Sequence, residues 1–440
     1  MSKALLGFVA LLLLDSGSAL AADAMFRGNL AHTGVYFERA IAHAPKVQWT
    51  FHTKGPVMAS PAIADGTVYI GSSDGRFYAL DLASGAKQWE FKPGARVTSS
   101  AAVANGTVFF ESFDGKFYAL DAVSGGLKWK FAVPGERRFT AAHLHGMEPK
   151  GEAMPDPFDL FLSSPAVWNG VVYFGSGDGN VYALGAANGA LKWKYRTGDV
   201  VHASPAIADG MLFIGSWDSW FYALDAATGA LKWRFKTGED PDIHNQQGIQ
   251  SSAAVADGTV YFGCRDSNLY ALDEKTGAKR WSFNNKGSWV IASPAMRDGI
   301  VYAATSDTGQ FYALDGKTGA QLFALDFHHW PLFSSPALAG DFAYIGSHQG
   351  KLFAIGLKKR ALGWEFQTAA SKKSLPGFSN ADGSVNYAAV QAGTFYDDMV
   401  VAVAKLQEVG QVLSSPVPAG NLLVFGATDG NVYALSAPPP

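Results

Sequence analysis

Eight times along this chain a Ser-Pro or Ser-Ala pair opens an apolar run that ends about twenty residues later in an aromatic-Ala-aliphatic triplet. The openings are Ser60, Ser100, Ser164, Ser204, Ser252, Ser293, Ser335 and Ser415; the triplets begin at Tyr78, Tyr118, Tyr182, Tyr222, Tyr270, Tyr312, Phe353 and Tyr433. Most steps between clean openings are 40 to 42 residues, the period of a propeller or a comparable array. Such an array can hold 440 residues in one domain, because each unit buries its face against its neighbours.

The fourth repeat shows the internal grammar. Ser204 to Ala208, Met211 to Ser216, Trp220 to Asp225 and Leu231 to Phe235 read as strands by their alternation and aromatic content. Asp209-Gly210 suits a hairpin turn with positive φ, and Asp225 to Gly229 supplies a capping carboxylate and a left-handed glycine. The fourth strand carries a Trp at positions 49, 89, 129, 193, 233, 281 and 364, replaced by Phe323 in the seventh occurrence. Trp49 precedes the first Ser-Pro, and the last unit stops after three strands. The offset predicts an all-β, eight-bladed propeller of four-stranded blades over residues 47–436. Residues 47–51 are expected to complete the last blade and close the ring, which removes two raw edges.

The start of the chain reads as an export signal over residues 1–21, with Lys3, an apolar stretch from Ala4 to Leu14, and Ala19-Leu20-Ala21 for cleavage. No apolar run is long enough to span a bilayer, and no cysteine near the cleavage site offers a lipid anchor. A monomeric periplasmic protein with a lead-in segment at 22–46 is expected. Net charge is −3 without long runs of one sign, which argues against nucleic acid as a partner. Cys264 is the only cysteine, so an intramolecular disulfide, a CxxCH haem attachment and a multi-cysteine zinc site are excluded.

Spacing from the fourth-strand aromatic to the next opening is 11 or 12 residues in five of eight cases. It rises to 35, 19 and 51 after Trp129, Trp233 and Trp364, which places insertions at about 132–162, 236–250 and 366–413. In a meander these connections emerge on one rim, so a functional mouth is expected there. Tyr396-Asp397-Asp398 before an Ala- and Val-rich stretch suits a helix start, with a strand as the alternative.

Units such as Ser164 to Leu184 and the stretch Ala223 to Trp233 resemble the pyrroloquinoline quinone (PQQ) repeat and its tryptophan docking motif. Phe26-Arg-Gly-Asn-Leu-Ala-His-Thr-Gly34 is similar to the opening segment of such proteins. The resemblance covers roughly residues 25 to 436 and implies that each Trp packs between blades. One branch of the family, the quinoprotein dehydrogenases, implies PQQ with a calcium or lanthanide ion and oxidation of an alcohol or sugar. Its adjacent-cysteine disulfide cannot form here, and its metal ligands have no residue-by-residue match. The other branch, the propeller of the outer-membrane assembly machinery, implies binding of an envelope protein and no cofactor.

Candidate site residues lie on the insertion-bearing rim. Seven of the ten histidines fall there or just before an inner strand: His52, His143, His145, His202, His244, His328 and His329. Each competes with an ordinary surface or packing role. The turns of blades four and five depart from Asp-Gly and supply Trp217 and Arg265, a stacking plane and an anion clamp for a planar carboxylated ligand. Trp289 is a further stacking plane, and His202, His244, Asn245 and Gln250 complete the expected ligand set. Asp242 and Asn245, within the polar run from Gly238 to Gln250, are the candidate metal ligands. Asp156 and Asp159 carry the same ambiguity between ligand and solvated loop. No motif names a catalytic residue. A small molecule or cofactor bound at this rim is the expected function, with a protein-binding scaffold as the alternative.

Overall fold

A computed structural model of the chain describes residues 24–390 and 393–438; the expected export signal lies outside them. Eight antiparallel meanders follow one another around an axis. In blade four the strands are Ala206–Ala208, Met211–Gly215, Trp220–Asp225 and Leu231–Lys236, paired in sequence order. The first hairpin turns on Asp209 and Gly210, at φ 47° and 75°; two successive positive values match the right-handed twist of the flanking strands. Asp225 Oδ1 accepts from the N–H groups of Ala227 and Thr228 and from the Thr228 hydroxyl, which fixes the turn before the fourth strand.

The last blade joins the two ends of the chain. Val417–Ala419, Leu422–Gly426 and Asn431–Ser436 are completed by Lys46–His52, which runs antiparallel to the third strand from Lys46 opposite Ser436 to His52 opposite Asn431. The ring therefore closes through an N-terminal strand.

Two repeated contacts hold neighbouring blades together. The Trp193 indole N–H donates to Ala226 O of the next blade at 3.0 Å, and its ring covers Gly229. Trp49, Trp89, Trp129, Trp233 and Trp281 repeat the hydrogen bond at 2.8–3.1 Å. Trp364 faces the blade that the N-terminal strand completes, and donates instead to Ile41 O at 2.8 Å. Ile41 stands five residues before Lys46, as Ala226 stands five before Leu231, so the lead-in segment supplies the missing turn in register. Closer to the axis, each opening serine accepts the backbone N–H of the preceding blade's serine. Ser60 bonds to Ser100, and the sequence runs on through Ser164, Ser204, Ser252, Ser293, Ser335 and Ser415 back to Ser60, each at 2.8–3.0 Å.

The axial channel is stopped at both ends. Leu30, Ala31, Thr33 and Gly34 offer backbone carbonyls to Ile207, Val255, Met296 and Leu338 of successive inner strands, so the lead-in segment straps the face away from the insertions. Phe26 reaches a cavity of about 60 Å³ lined by the eight serines. On the other side Phe158, Leu160 and Phe161 of the first insertion pack with Met58, Trp289, Ile291, Phe333 and Leu413.

Candidate functional site

The three insertions meet over the mouth of the ring. In the first, Thr140–Ala142 pairs with Ala153–Pro155 as a small hairpin. The third carries a helix at Tyr396–Gln407, with Asp397 and Asp398 in its first turn, where the helix dipole favours negative charge. Tyr396 donates its hydroxyl to Pro155 O and its N–H to Glu148 O, tying this helix to the first insertion. The second insertion reaches the first through Asn245, whose Oδ1 lies 3.2 Å from His145 Nδ1.

Beneath this roof two clusters of charged side chains are buried and paired. His202 Nδ1 lies 2.7 Å from Asp159 Oδ1 and its Nε2 lies 3.0 Å from Glu136 Oε1. Burial opposes its charged form, but the Asp159 and Glu136 carboxylates outweigh burial and push it up to about 10, so it is an imidazolium at neutral pH. Glu136 is correspondingly held below the ordinary range: burial works against this, but the His202 hydrogen bond and charge prevail. The second cluster centres on Asp156. Arg265 Nη1 donates to Asp156 Oδ2 at 2.6 Å, and His145 Nε2 stands 3.1 Å from the same oxygen. Against its burial, the Arg265 guanidinium and then His145 hold the Asp156 carboxyl well below the usual carboxylate range.

The expected stacking planes are present, and between them lies a side chain of the protein itself. The Arg265 guanidinium sits 4.4 Å from the Trp217 ring centre and 4.0 Å from that of Trp289, a cation stacked on both indoles. Its Nε donates to Gln250 Oε1 at 2.7 Å, and Gln250 in turn donates to Phe158 O. On its other face Trp217 stacks on Phe139 at 4.5 Å. A planar quinone would compete with Arg265 for this space, and its carboxylates with Asp156 for the guanidinium; these residues do not fit PQQ as they stand.

His244 is half-buried and bonds Gln247, Asp242 is exposed, and Asn245 faces His145. Among the described residues no three His, Cys, Asp or Glu side chains converge to hold a metal ion. Cys264 is buried, and that burial raises its thiol pKa above the ordinary value. His143 is half-buried, while His328 and His329 are exposed.

Beside the ionic clusters, a cavity of about 330 Å³ opens between the helix and blades six and seven. Its walls include Trp289, Trp330, Phe333, Tyr387, Met399 and Val403. The polar groups facing it include Asp307, His348, Gln411 and Asn245. Asp307 remains exposed to this space, yet desolvation by the surrounding protein raises its carboxyl above the ordinary value, against the lowering effects of Ser306, Arg265 and His145. His348 is neutral, lowered to about 3 by burial.

Asp307, His348 and Glu136 are absent from the expected ligand set, although the repeat holds a signal for two of them. Trp217, Arg265, Asp307 and His348 each stand five residues before the aromatic of the triplet in blades four to seven. In six blades the following residue is an Asp that accepts the tyrosine hydroxyl, as Asp218 does from Tyr222 and Asp266 from Tyr270. Blade six carries one additional residue in this turn, so Thr308 takes that place and Asp307 moves to the position facing the mouth. Glu136 has no comparable signal.

An eight-bladed propeller with one roofed mouth is thus the class that fold and site define. The chain belongs to the family described as outer membrane protein assembly factor BamB, whose model matches residues 40–147, 146–284 and 244–438. No curated protein sequence matches it. Among solved structures it is similar to BamB from Moraxella catarrhalis, at 16% identity and TM-score 0.63, over 89% of this chain and 98% of that one. It is also similar to a europium-containing methanol dehydrogenase, at 15% identity and TM-score 0.69, over 94% of this chain and 97% of that one. The quinohemoprotein alcohol dehydrogenase from Comamonas testosteroni matches at 14% identity and TM-score 0.69, over 94% of this chain and 81% of that one. At these identities the likeness shows the fold alone.

Proposed function

We propose that this protein is an exported, periplasmic propeller that binds a small organic molecule in the roofed cavity at its mouth. The observation that carries this reading is the partly roofed space of about 330 Å³, within the range of small-molecule sites, with an aromatic and aliphatic wall and a few polar groups. The ligand belongs in that cavity and not between Trp217 and Trp289, where Arg265 already stacks. No catalytic step is assigned.

Two measurements test this. Val403→Trp should fill the cavity and abolish small-molecule binding in a ligand-observed NMR screen while leaving the melting temperature near that of the parent. Binding that survives the filled cavity would defeat the reading. PQQ added with calcium or a lanthanide should give neither tight binding nor dye reduction with an alcohol and sugar panel; tight binding with dye reduction would establish a quinoprotein dehydrogenase instead. Family membership favours a second reading, a scaffold for an envelope protein. It predicts a stoichiometric protein partner captured from the cell envelope whose binding survives Val403→Trp.

A further inference from the structure

The mouth cavity holds a carboxylate, Asp307, that makes no ion pair among the described residues; of the histidines lining the same space, His145 stands against Asp156 at 3.1 Å and His348 is neutral. Asp307 is a carboxylate facing a space walled by Trp289, Trp330 and Tyr387, and no Lys or Arg is among the described residues that line it. The Ser306 hydroxyl donates to Asp307 Oδ1 at 3.2 Å, which partly satisfies the oxygen without neutralising it. The cation behind the wall, Arg265, is committed to Asp156 at 2.6 Å and to two indole faces. An anionic ligand would bring a second negative charge against Asp307. A neutral apolar one would strip water from Asp307 and leave it unpaired; both are costly. A cation is favoured twice, by the carboxylate and by the electron-rich faces of the aromatic rings.

His348 adds a neutral ring to the cavity wall. It is 7% exposed, and its Nδ1 lies 3.1 Å from Gln411 Nε2. With Nδ1 accepting from the Gln411 amide, the neutral ring carries its proton on Nε2, and this buried nitrogen has no hydrogen-bond partner among the described residues.

We propose that the cavity selects a small organic cation: an ammonium-bearing molecule whose charge meets Asp307 and whose apolar body lies against Trp289 and Trp330. This rests on the small-molecule reading above and adds to it the chemical class of the ligand.

Benzylamine, benzyl alcohol and benzoate share one ring and differ in charge, and tetramethylammonium tests charge with little body. Each is titrated calorimetrically at about pH 8, where free imidazole is neutral, with quenching of tryptophan fluorescence as a second readout. Benzylamine should bind about tenfold or more tightly than benzyl alcohol, with benzoate weakest. Asp307→Asn should erase that preference, bringing benzylamine down to the affinity of benzyl alcohol for the same variant. If the Asn variant melts well below the parent, Asp307→Ser carries the same comparison. Benzoate binding as tightly as benzylamine, or a preference that survives loss of the carboxylate, would overturn the cation proposal and leave the cavity reading standing. Failure of all four probes to bind the parent protein would overturn both.

Discussion

His202 lies between two buried carboxylates, 2.7 Å from Asp159 and 3.0 Å from Glu136, and its charge outweighs burial in holding Glu136 ionised. Replacing it with Gln leaves Glu136 and Asp159 without their cation. The expected loss at neutral pH is about 3–5 kcal/mol, read from denaturant midpoints. The pH dependence has a definite sign. The folded imidazolium is raised from 6.5 to about 10, so its stabilisation is complete below pH 6.5 and is lost as the pH climbs towards 10. Glu136 and Asp156 shift downwards, so their contributions hold above their ordinary values and fade in acid. The melting temperature of the parent should therefore fall between pH 6.5 and 10, while that of His202→Gln starts lower and stays flatter over the same window. Parallel decline of the two proteins would show that His202 does not bear the effect. The residue itself was legible in the sequence, as a rim histidine before an inner strand. Its pairing was not, although Asp159 stood among the ambiguous candidates, because Asp159 and Glu136 stand 43 and 66 residues away and no spacing rule links an insertion to a blade edge.

Strands and turns were the most legible level, because alternation and paired turn residues are local signals. What was not legible is how a repeated residue is used between blades. The openings mark the repeat, but nothing in a single unit says that Ser252 N–H donates to Ser293 Oγ at 3.0 Å. The docking of Trp193 onto the next blade was expected only from family resemblance, and blade four allows it to be separated from backbone strain. Gly210 and Gly229 both adopt left-handed conformations, at φ 75° and 74°. A Cβ on Gly210 would meet nothing within 4 Å, whereas one on Gly229 would come within 2.7 Å of the Trp193 ring. Gly210→Ala should cost about 1–2 kcal/mol, the strain of a left-handed L-residue. Gly229→Ala should cost about 1–3 kcal/mol more, because the indole cannot stay seated. Urea unfolding of the two variants measures the difference directly; equal losses would mean that the Trp193 contact is slack.

The whole molecule is closed by one strand and strapped by the segment before it, and the two contributions are separable. A chain beginning at Lys46 keeps the pairing of Lys46–His52 with Asn431–Ser436 but loses the backbone strap across four blades and the Ile41 carbonyl under Trp364. A chain beginning at Pro56 loses the closing strand as well, exposing the edge of Asn431–Ser436 and baring the face of blade one that Trp49 covers. An open, apolar strand edge is a template for pairing with another chain. The closure was readable from the offset between three-strand sets and Trp strands. The strap was not, since its contacts are backbone carbonyls without side-chain signature. In gel filtration with light scattering, the chain from Lys46 should run as a monomer with a lowered melting temperature. The chain from Pro56 should form large or insoluble assemblies, and restoring residues 46–55 as a covalent extension of the C-terminus through a flexible linker should recover the monomer. A chain from Pro56 that stayed monomeric and melted like the parent would show that the ring holds without its closing strand.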